Sequence, residues 1–115
     1  MHEFGVMTYL LSAVEDKAQE LQATRVLAIN LLIGDRASIV EDSLQFYFDM
    51  LTPGTCVEGA QLNIRRMPSR FVCAACAKTY EPSGADYRCP DCGGIGQLTD
   101  AGGEFLIESI MIERT

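Results

Sequence analysis

The chain carries two Cys-x-x-Cys pairs, Cys73 with Cys76 and Cys89 with Cys92, and twelve residues separate the two pairs. A pair with this spacing forms a tight turn that aims two sulfur atoms at one ion, and "CPDCGG" at 89–94 is typical of such a turn. The motif therefore predicts a tetrahedral zinc site with four thiolate ligands. Because four protein ligands leave no open position, the zinc is expected to be structural. An iron–sulfur centre and a redox dithiol are the alternatives.

The segment that contains these cysteines, residues 69–102, is rich in glycine and poor in large aliphatic side chains. Such a segment cannot bury much of an apolar core of its own. Bound zinc would supply the cohesion that its apolar residues do not. We therefore predict a zinc-binding ribbon domain at residues 69–102.

The charge of the chain argues against a nucleic-acid partner. Nucleic-acid affinity comes largely from Lys and Arg that neutralise phosphates, whereas this chain has 16 acidic and 9 basic residues and a formal net charge of −7. Within residues 69–95 the basic and acidic residues balance three against three: Arg70, Lys78, Arg88, Glu81, Asp86 and Asp91. We predict no nucleic-acid partner. A zinc-ribbon module that binds protein or nucleic acid is kept as the alternative function.

Two segments outside the ribbon have the apolar periodicity of helices. Apolar residues recur at three- and four-residue steps in residues 4–21 and again in residues 38–51, which predicts two amphipathic helices. Ser38, with Glu41 three residues later, fits a capping box at the start of the second helix. Pro53 then marks its end, because proline cannot continue a helix.

Three segments have the apolar pattern and length of strands, at residues 25–34, 60–67 and 104–114, the last of them rich in isoleucine. The first has apolar residues on both faces and is expected to be central in its sheet. The third is expected to pair with it. We predict an α+β fold, with two helices packed on a small three-stranded sheet and an inserted zinc-ribbon module. The α+β domain would comprise residues 1–68 and be completed by the strand at 103–115.

The chain has no apolar run near the roughly 18 residues that a membrane helix needs. Its start also lacks the basic region of a signal peptide. We therefore expect no membrane partner and a cytoplasmic location, where cysteines are reduced thiols or metal ligands. Cys56, the fifth cysteine, is expected to be a buried or partly buried thiol, and a reactive or metal-binding role is its alternative.

The first three residues, Met1, His2 and Glu3, offer an amine, two backbone amides, an imidazole and a carboxylate. Ni(II) and Cu(II) favour square-planar or tetragonal nitrogen sites, so these donors could bind such an ion. A six-coordinate site that uses the Glu3 carboxylate or water is an equal possibility. From the tripeptide alone, an ordinary frayed N-terminus is the favoured interpretation.

The chain as a whole resembles the HypA family of nickel metallochaperones for NiFe-hydrogenase maturation. The resemblance rests on the "MHE" start, the order of helices and strands around the inserted cysteine pairs, "IG" at 33–34 and "EGAQLNI" at 58–64. It implies a nickel site at Met1, His2 and Glu3. It also implies a zinc site, with the ligands Cys73, Cys76, Cys89 and Cys92.

The resemblance further implies a carrier that binds Ni(II) at its N-terminus and delivers it to the hydrogenase large-subunit precursor. A nickel-handling GTPase of the HypB type would be its partner, Zn(II) its structural cofactor and Ni(II) its transient cargo. The chain has no phosphate-loop motif and only one histidine, so we predict that it is not an enzyme. Some relatives carry histidines beside their cysteine pairs, whereas the single histidine here is His2.

Overall fold

The computed structural model describes residues 3–82 and 86–115. Its elements are α1 (Glu3–Glu20), β1 (Arg25–Gly34), α2 (Glu41–Leu51), β2 (Gln61–Met67), β3 (Phe71–Cys73), β4 (Thr79–Tyr80), β5 (Gly96–Leu98) and β6 (Phe105–Glu113). The long strands form one sheet in the order β2-β1-β6, and the short strands form a second in the order β4-β3-β5. The predicted α+β class is confirmed. Neither described helix has the length and apolar content that a membrane span requires.

The chain divides into two compact units. The first comprises Met1–Leu31, Ser38–Arg65 and Leu106–Thr115, and the second comprises Leu32–Ala37 and Arg66–Phe105. The second unit therefore contains the cysteine pairs and also the turn that follows β1. The assignment of a nickel domain and a zinc domain to these parts of the chain stays a prediction.

The core of the first unit is built from the apolar stripes of α1, β1 and α2. Its fully buried side chains include Met7, Leu10, Val14, Val26, Ile29, Leu31, Leu44 and Phe48. The two helices pack against each other. Val26 and Ile29 point to opposite faces of β1, because side chains alternate along a strand, and both have no exposed surface. The expected central, two-sided position of β1 is confirmed.

Hydrogen bonds in the first unit give the directions of its strands. The Thr24 N–H donates to the Glu113 carbonyl at 2.8 Å, so β6 ends where β1 begins and the two are antiparallel. The chain before β2 meets the start of β1, because the Val26 N–H donates to the Cys56 carbonyl at 2.8 Å. Further along, the side chains of two asparagines meet mid-strand, at positions 30 and 63. Strand β2 therefore runs parallel to β1, and α2 supplies the crossover that a parallel pair needs.

Helix α2 begins at Glu41, and the predicted capping box of Ser38 is wrong. The N-cap residue is Val40, in an extended conformation (φ −89°, ψ 115°), and no side chain of its own caps the helix. The Val40 N–H instead donates to Oε2 of Glu3 at 3.2 Å. In a capping box, the N–H of the N-cap residue is taken by a Glu or Gln inside the helix. Here a glutamate from the start of α1 takes that role, so the partner is remote in sequence.

The turn after β1 is fastened to the segment before β6, within the second unit. The Gly34 N–H donates to the Glu104 carbonyl and the Arg36 N–H to the Gly102 carbonyl, both at 2.7 Å. The Arg36 guanidinium also donates to three successive carbonyls, those of Thr99, Asp100 and Ala101. A Cβ at Gly34 would overlap the Gly102 carbonyl. Glycine is therefore required at position 34 by this close backbone approach.

We predict that Gly34→Ala destabilises the zinc-loaded protein by about 1–3 kcal/mol or more, because backbone must shift to admit the methyl group. Gly5→Ala is the matched control. A Cβ at Gly5 meets nothing within 4 Å, and alanine is favoured over glycine inside a helix by up to about 1 kcal/mol. Urea unfolding followed by circular dichroism measures both. Equal midpoints for the two variants would contradict the close approach at Gly34.

Candidate metal centre

The four cysteines of the two pairs come together in the second unit. Their sulfur atoms all lie within 4.8 Å of one another. Sγ of Cys73 is 3.4 Å from Sγ of Cys92, and Sγ of Cys76 is 3.7 Å from Sγ of Cys89. In a regular tetrahedron with zinc–sulfur bonds of about 2.3 Å, the sulfurs are about 3.8 Å apart. The donor set and its spacing therefore fit a metal ion such as zinc.

The two Cys-x-x-Cys pairs fold into the same turn. The fourth residue after the first cysteine has a positive φ in both, 63° at Ala77 and 74° at Gly93. Their N–H groups donate to the carbonyls of Cys73 and Cys89, each at 2.9 Å. The N–H of each first cysteine donates in turn to the carbonyl five residues later, at 2.9 and 3.0 Å. This repetition makes the two halves of the site structurally equivalent.

Backbone amides hold negative charge at one of the sulfurs. The N–H groups of Cys76 and Ala75 lie 3.5 and 3.4 Å from Sγ of Cys73, and they lower the pKa of that thiol to about 6. At Cys92 the N–H of Gly94 lowers the pKa of the thiol. Hydrogen bonds with the sulfurs of Cys73 and Cys76 have the opposite and larger effect, so the pKa of Cys92 is raised to about 12. A negative charge on one sulfur thus disfavours deprotonation of the neighbouring thiol. A cation among the sulfurs would remove this opposition, since metal binding deprotonates coordinating thiols.

Among the described residues of the ribbon, the buried core is very small, and cysteines make up most of it. Cys73, Tyr80 and Cys89 are buried, with 2%, 5% and 3% of their surfaces exposed. The Tyr80 hydroxyl donates to the Tyr87 carbonyl at 2.6 Å, and burial raises the pKa of Tyr80, which keeps that hydroxyl protonated as a donor. Two of the three core side chains are candidate ligands, so the cohesion of the ribbon depends on what they bind.

Two glycines beside the cluster were not singled out from the sequence. A Cβ at Gly94 would lie 3.0 Å from Sγ of Cys73, and one at Gly96 would overlap the Tyr80 hydroxyl. A side chain at Gly94 would therefore crowd a candidate ligand, and one at Gly96 would displace the buried tyrosine. The several glycines in "CGGIG" were the only sign in the sequence that these positions are special. The reason is their closeness in the fold to Cys73 and Tyr80, which the sequence does not show.

The basic residues of the ribbon all have acidic partners. The salt bridges are Arg70–Glu81, Lys78–Asp91 and Arg88–Asp86. Each is largely exposed, and exposed pairs contribute little to stability. A phosphate backbone would have to compete with these carboxylates for every cationic side chain of the module.

Of the three residues predicted to bind nickel, the structure describes only Glu3. Met1 and His2 lie outside the described residues. Glu3 is the first residue of α1, and its carboxylate accepts the Val40 N–H. Cys56 is a partly buried free thiol and is not a member of the four-cysteine cluster. The nickel site therefore stays a prediction.

Comparison with known proteins decides the family. The family model described as "Hydrogenase/urease nickel incorporation, metallochaperone, hypA" matches residues 1–112. The chain belongs to the HypA family. Its members are nickel metallochaperones of hydrogenase maturation, as the resemblance in the sequence indicated.

Individual HypA proteins match over almost their whole length. A hydrogenase maturation factor HypA from Dehalococcoides mccartyi is 39% identical over 113 residues, which cover 98% of this chain and 95% of the relative. One from Caldanaerobacter subterraneus subsp. tengcongensis is 38% identical over 114 residues, covering 98% of this chain and all of the relative. These matches extend across both the helical part and the cysteine ribbon.

Two solved structures have the same fold. A solution structure of the Ni metallochaperone HypA from Helicobacter pylori matches with a TM-score of 0.66 and 23% identity, covering 100% of both chains. A second solution structure, of a HypA protein, matches with a TM-score of 0.71 and 23% identity, covering 97% of this chain and 96% of the other. Both support the HypA fold described above.

We predict opposite effects for exchanges at the two equivalent turn positions. Gly93→Ala should destabilise the zinc-loaded ribbon by about 1 kcal/mol, because alanine resists a positive φ. A Cβ there meets nothing within 4 Å, so no clash contributes. Ala77→Gly should be neutral or stabilise by up to about 1 kcal/mol. Thermal unfolding of the zinc-loaded variants tests this, and destabilisation by both exchanges would refute the equivalence of the turns.

Proposed function

We propose that the protein is a nickel carrier that binds Ni(II) at its N-terminus, holds structural zinc in its ribbon, and delivers nickel to the hydrogenase large-subunit precursor. The observation that carries the proposal is the HypA match over residues 1–112, which includes both donor clusters. The family supplies the nickel role, and the chemistry of the residues suggests where each ion binds.

Zn(II) is proposed to bind the thiolates of Cys73, Cys76, Cys89 and Cys92. The spacing of the sulfurs and the amide donors around Cys73 suit a tetrahedral thiolate site. When bound, the ion would supply the cohesion of a ribbon that has few buried apolar residues. With four protein ligands, it would have no position left for a substrate, so we assign it no catalytic role.

Ni(II) is proposed to bind the amine of Met1, the imidazole and amide of His2, and Glu3. Nitrogen donors of this kind suit the square-planar geometry that Ni(II) accepts. Affinity should fall in acid, because protons compete for the amine and the imidazole. A carrier must release its ion, so a small and partly solvated site would suit this role better than a site that encloses the ion.

The proposed partners are the proteins with which a nickel carrier would exchange its ion. A nickel-handling GTPase of the HypB type and the hydrogenase large-subunit precursor are the proteins that would exchange nickel with this one. The HypA family acts in hydrogenase maturation, which supports hydrogenase-related partners. The proposed activity is transfer of an ion, with no bond of a substrate made or broken, so the protein would act without catalysis.

For zinc, we expect one equivalent in the untagged protein after purification without chelators. Cys89→Ser should lose most of this zinc and unfold the ribbon, because a buried ligand is removed. Cys56→Ser is the matched control and should keep the full equivalent, since Cys56 lies outside the cluster. Metal analysis by mass spectrometry gives both contents. An iron content in place of zinc, or equal zinc in both variants, would refute this assignment.

For nickel, we expect one equivalent to bind the zinc-loaded, untagged protein and His2→Ala to abolish that binding without loss of fold. A version with one glycine before Met1 keeps every side chain but moves the amine by one residue. It should therefore change the affinity or the absorption spectrum sharply. Titration with nickel sulfate measures this. If the native protein, the extended version and His2→Ala all bind alike, nickel binds elsewhere and the proposed site is wrong.

A further inference from the structure

The outer face of α2 carries a contiguous group of apolar side chains that the fold does not bury. Phe46 and Met50 are one helical turn apart, and they are 62% and 50% exposed. The Phe46 ring meets the Tyr47 ring edge-to-face with centroids 5.3 Å apart, and the Tyr47 ring meets the Phe4 ring in the same way at 5.4 Å. Phe4, on α1, is 47% exposed. We call these four side chains the α2 patch.

The α2 patch differs from the other exposed apolar residues in being continuous. Exposed apolar residues that are scattered singly are normal on a protein surface, whereas a contiguous group indicates a place of interaction. Tyr9, for comparison, is 75% exposed, and among the described residues no ring contact includes it. Aromatic residues and methionine are enriched at the centres of protein–protein interfaces. The composition of the α2 patch therefore fits contact with another protein.

The charges beside the α2 patch indicate what kind of surface would cover it. Asp42 lies four residues before Phe46 and Asp49 three residues after it, and these spacings place side chains on one face of a helix. The helix has no lysine or arginine. In the described part of the chain, neither aspartate forms a salt bridge, and Asp49 accepts a hydrogen bond from the neutral Gln45 side chain. A lysine or arginine of a partner could pair with these carboxylates, and an arginine could also stack on the Phe46 ring.

We propose that the α2 patch is the docking site for a protein surface that carries lysine or arginine around an apolar pocket. This inference rests on the proposed function, because a carrier must dock on the proteins with which it exchanges nickel. The apolar side chains at the centre would supply most of the affinity. The two aspartates would steer the approach of the partner and fix its orientation.

The same charges disfavour other occupants of the α2 patch. Asp42 and Asp49 would repel the phosphates of a nucleic acid and those of an anionic lipid headgroup. In a symmetric dimer the patch would meet itself, which would bring the carboxylates of the two copies close together. The net charge of −7 on the chain adds to that repulsion. A basic protein surface is therefore the occupant that the charges favour.

The experiment measures binding of the zinc-loaded, untagged protein to two probes, a HypB-type GTPase and a hydrogenase large-subunit precursor, by titration calorimetry. Phe46→Ala should weaken the binding of at least one probe about 30-fold or more, as expected for a residue at the centre of an interface. Tyr9→Ala is the matched control. It removes an aromatic ring that is more exposed than Phe46 but lies outside the patch, so binding should stay within about twofold of native.

Two further variants test the patch without removing a ring. Met50→Ala should weaken the same binding about tenfold, because it removes an apolar contact beside Phe46. The double variant Asp42→Asn with Asp49→Asn should bind more weakly than the native protein at low salt. At high salt the two should bind alike, because salt screens the attraction between the exposed aspartates and a basic partner.

Thermal unfolding and nickel titration of the same variants separate docking from folding and from metal binding. Both should match the native protein in Phe46→Ala and in Met50→Ala, because neither side chain belongs to the core. The inference is overturned if both probes bind Phe46→Ala as tightly as native, or if Tyr9→Ala weakens binding as much as Phe46→Ala does. Either result would leave the proposed function intact.

Two other results would also overturn the inference. If sedimentation shows that the native protein is a dimer and that Phe46→Ala is a monomer, the α2 patch binds a second copy of the chain. If neither probe binds the native protein, the delivery step of the proposed function fails together with the docking site.

Discussion

The mutual opposition of four closely spaced thiolates is the constraint on which the ribbon depends. Sulfurs that lie 3.4–3.7 Å apart across the two pairs cannot all carry charge without a cation among them. Two of these four cysteines, Cys73 and Cys89, are two of the three side chains of the small core of the ribbon's described residues. An ion would thus perform two tasks at once, joining turns that are far apart in sequence and replacing apolar burial. The two equivalent turns hold the two cysteines of each pair, and at Gly94 an added Cβ would lie 3.0 Å from Sγ of Cys73.

Features that depend on residues close together in the sequence could be predicted well. The first strand was expected at residues 25–34 and is observed at Arg25–Gly34, and the first helix was expected at 4–21 and is observed at Glu3–Glu20. Both have a periodic apolar stripe that one strong tertiary core then reinforces. The four-cysteine cluster was predictable for a similar reason, because each Cys-x-x-Cys turn depends on a few successive residues.

Features that depend on contacts between remote residues could not be predicted in this way. The capping box at Ser38 had the right spacing, yet Glu3 of α1 takes the N–H that a capping box would satisfy locally. The Arg36 guanidinium donates to three carbonyls near residue 100. The residues next to Arg36 in the sequence have no pattern that indicates these hydrogen bonds. In both cases one polar group finds a partner more than thirty residues away, and only packing brings the two together.

The two proposed metal sites have opposite tasks: one should retain its ion, and the other must release it. A structural ion should be retained, and the ribbon offers four protein ligands, two buried sulfurs and amide donors that stabilise thiolate. A cargo ion must leave, and donors at the end of a chain can be exchanged one at a time with those of an acceptor. Such a nitrogen set would bind copper more tightly than nickel. Selectivity for nickel must then come from the metal that is available in the cell and from the partner that accepts it, rather than from the affinity of the site.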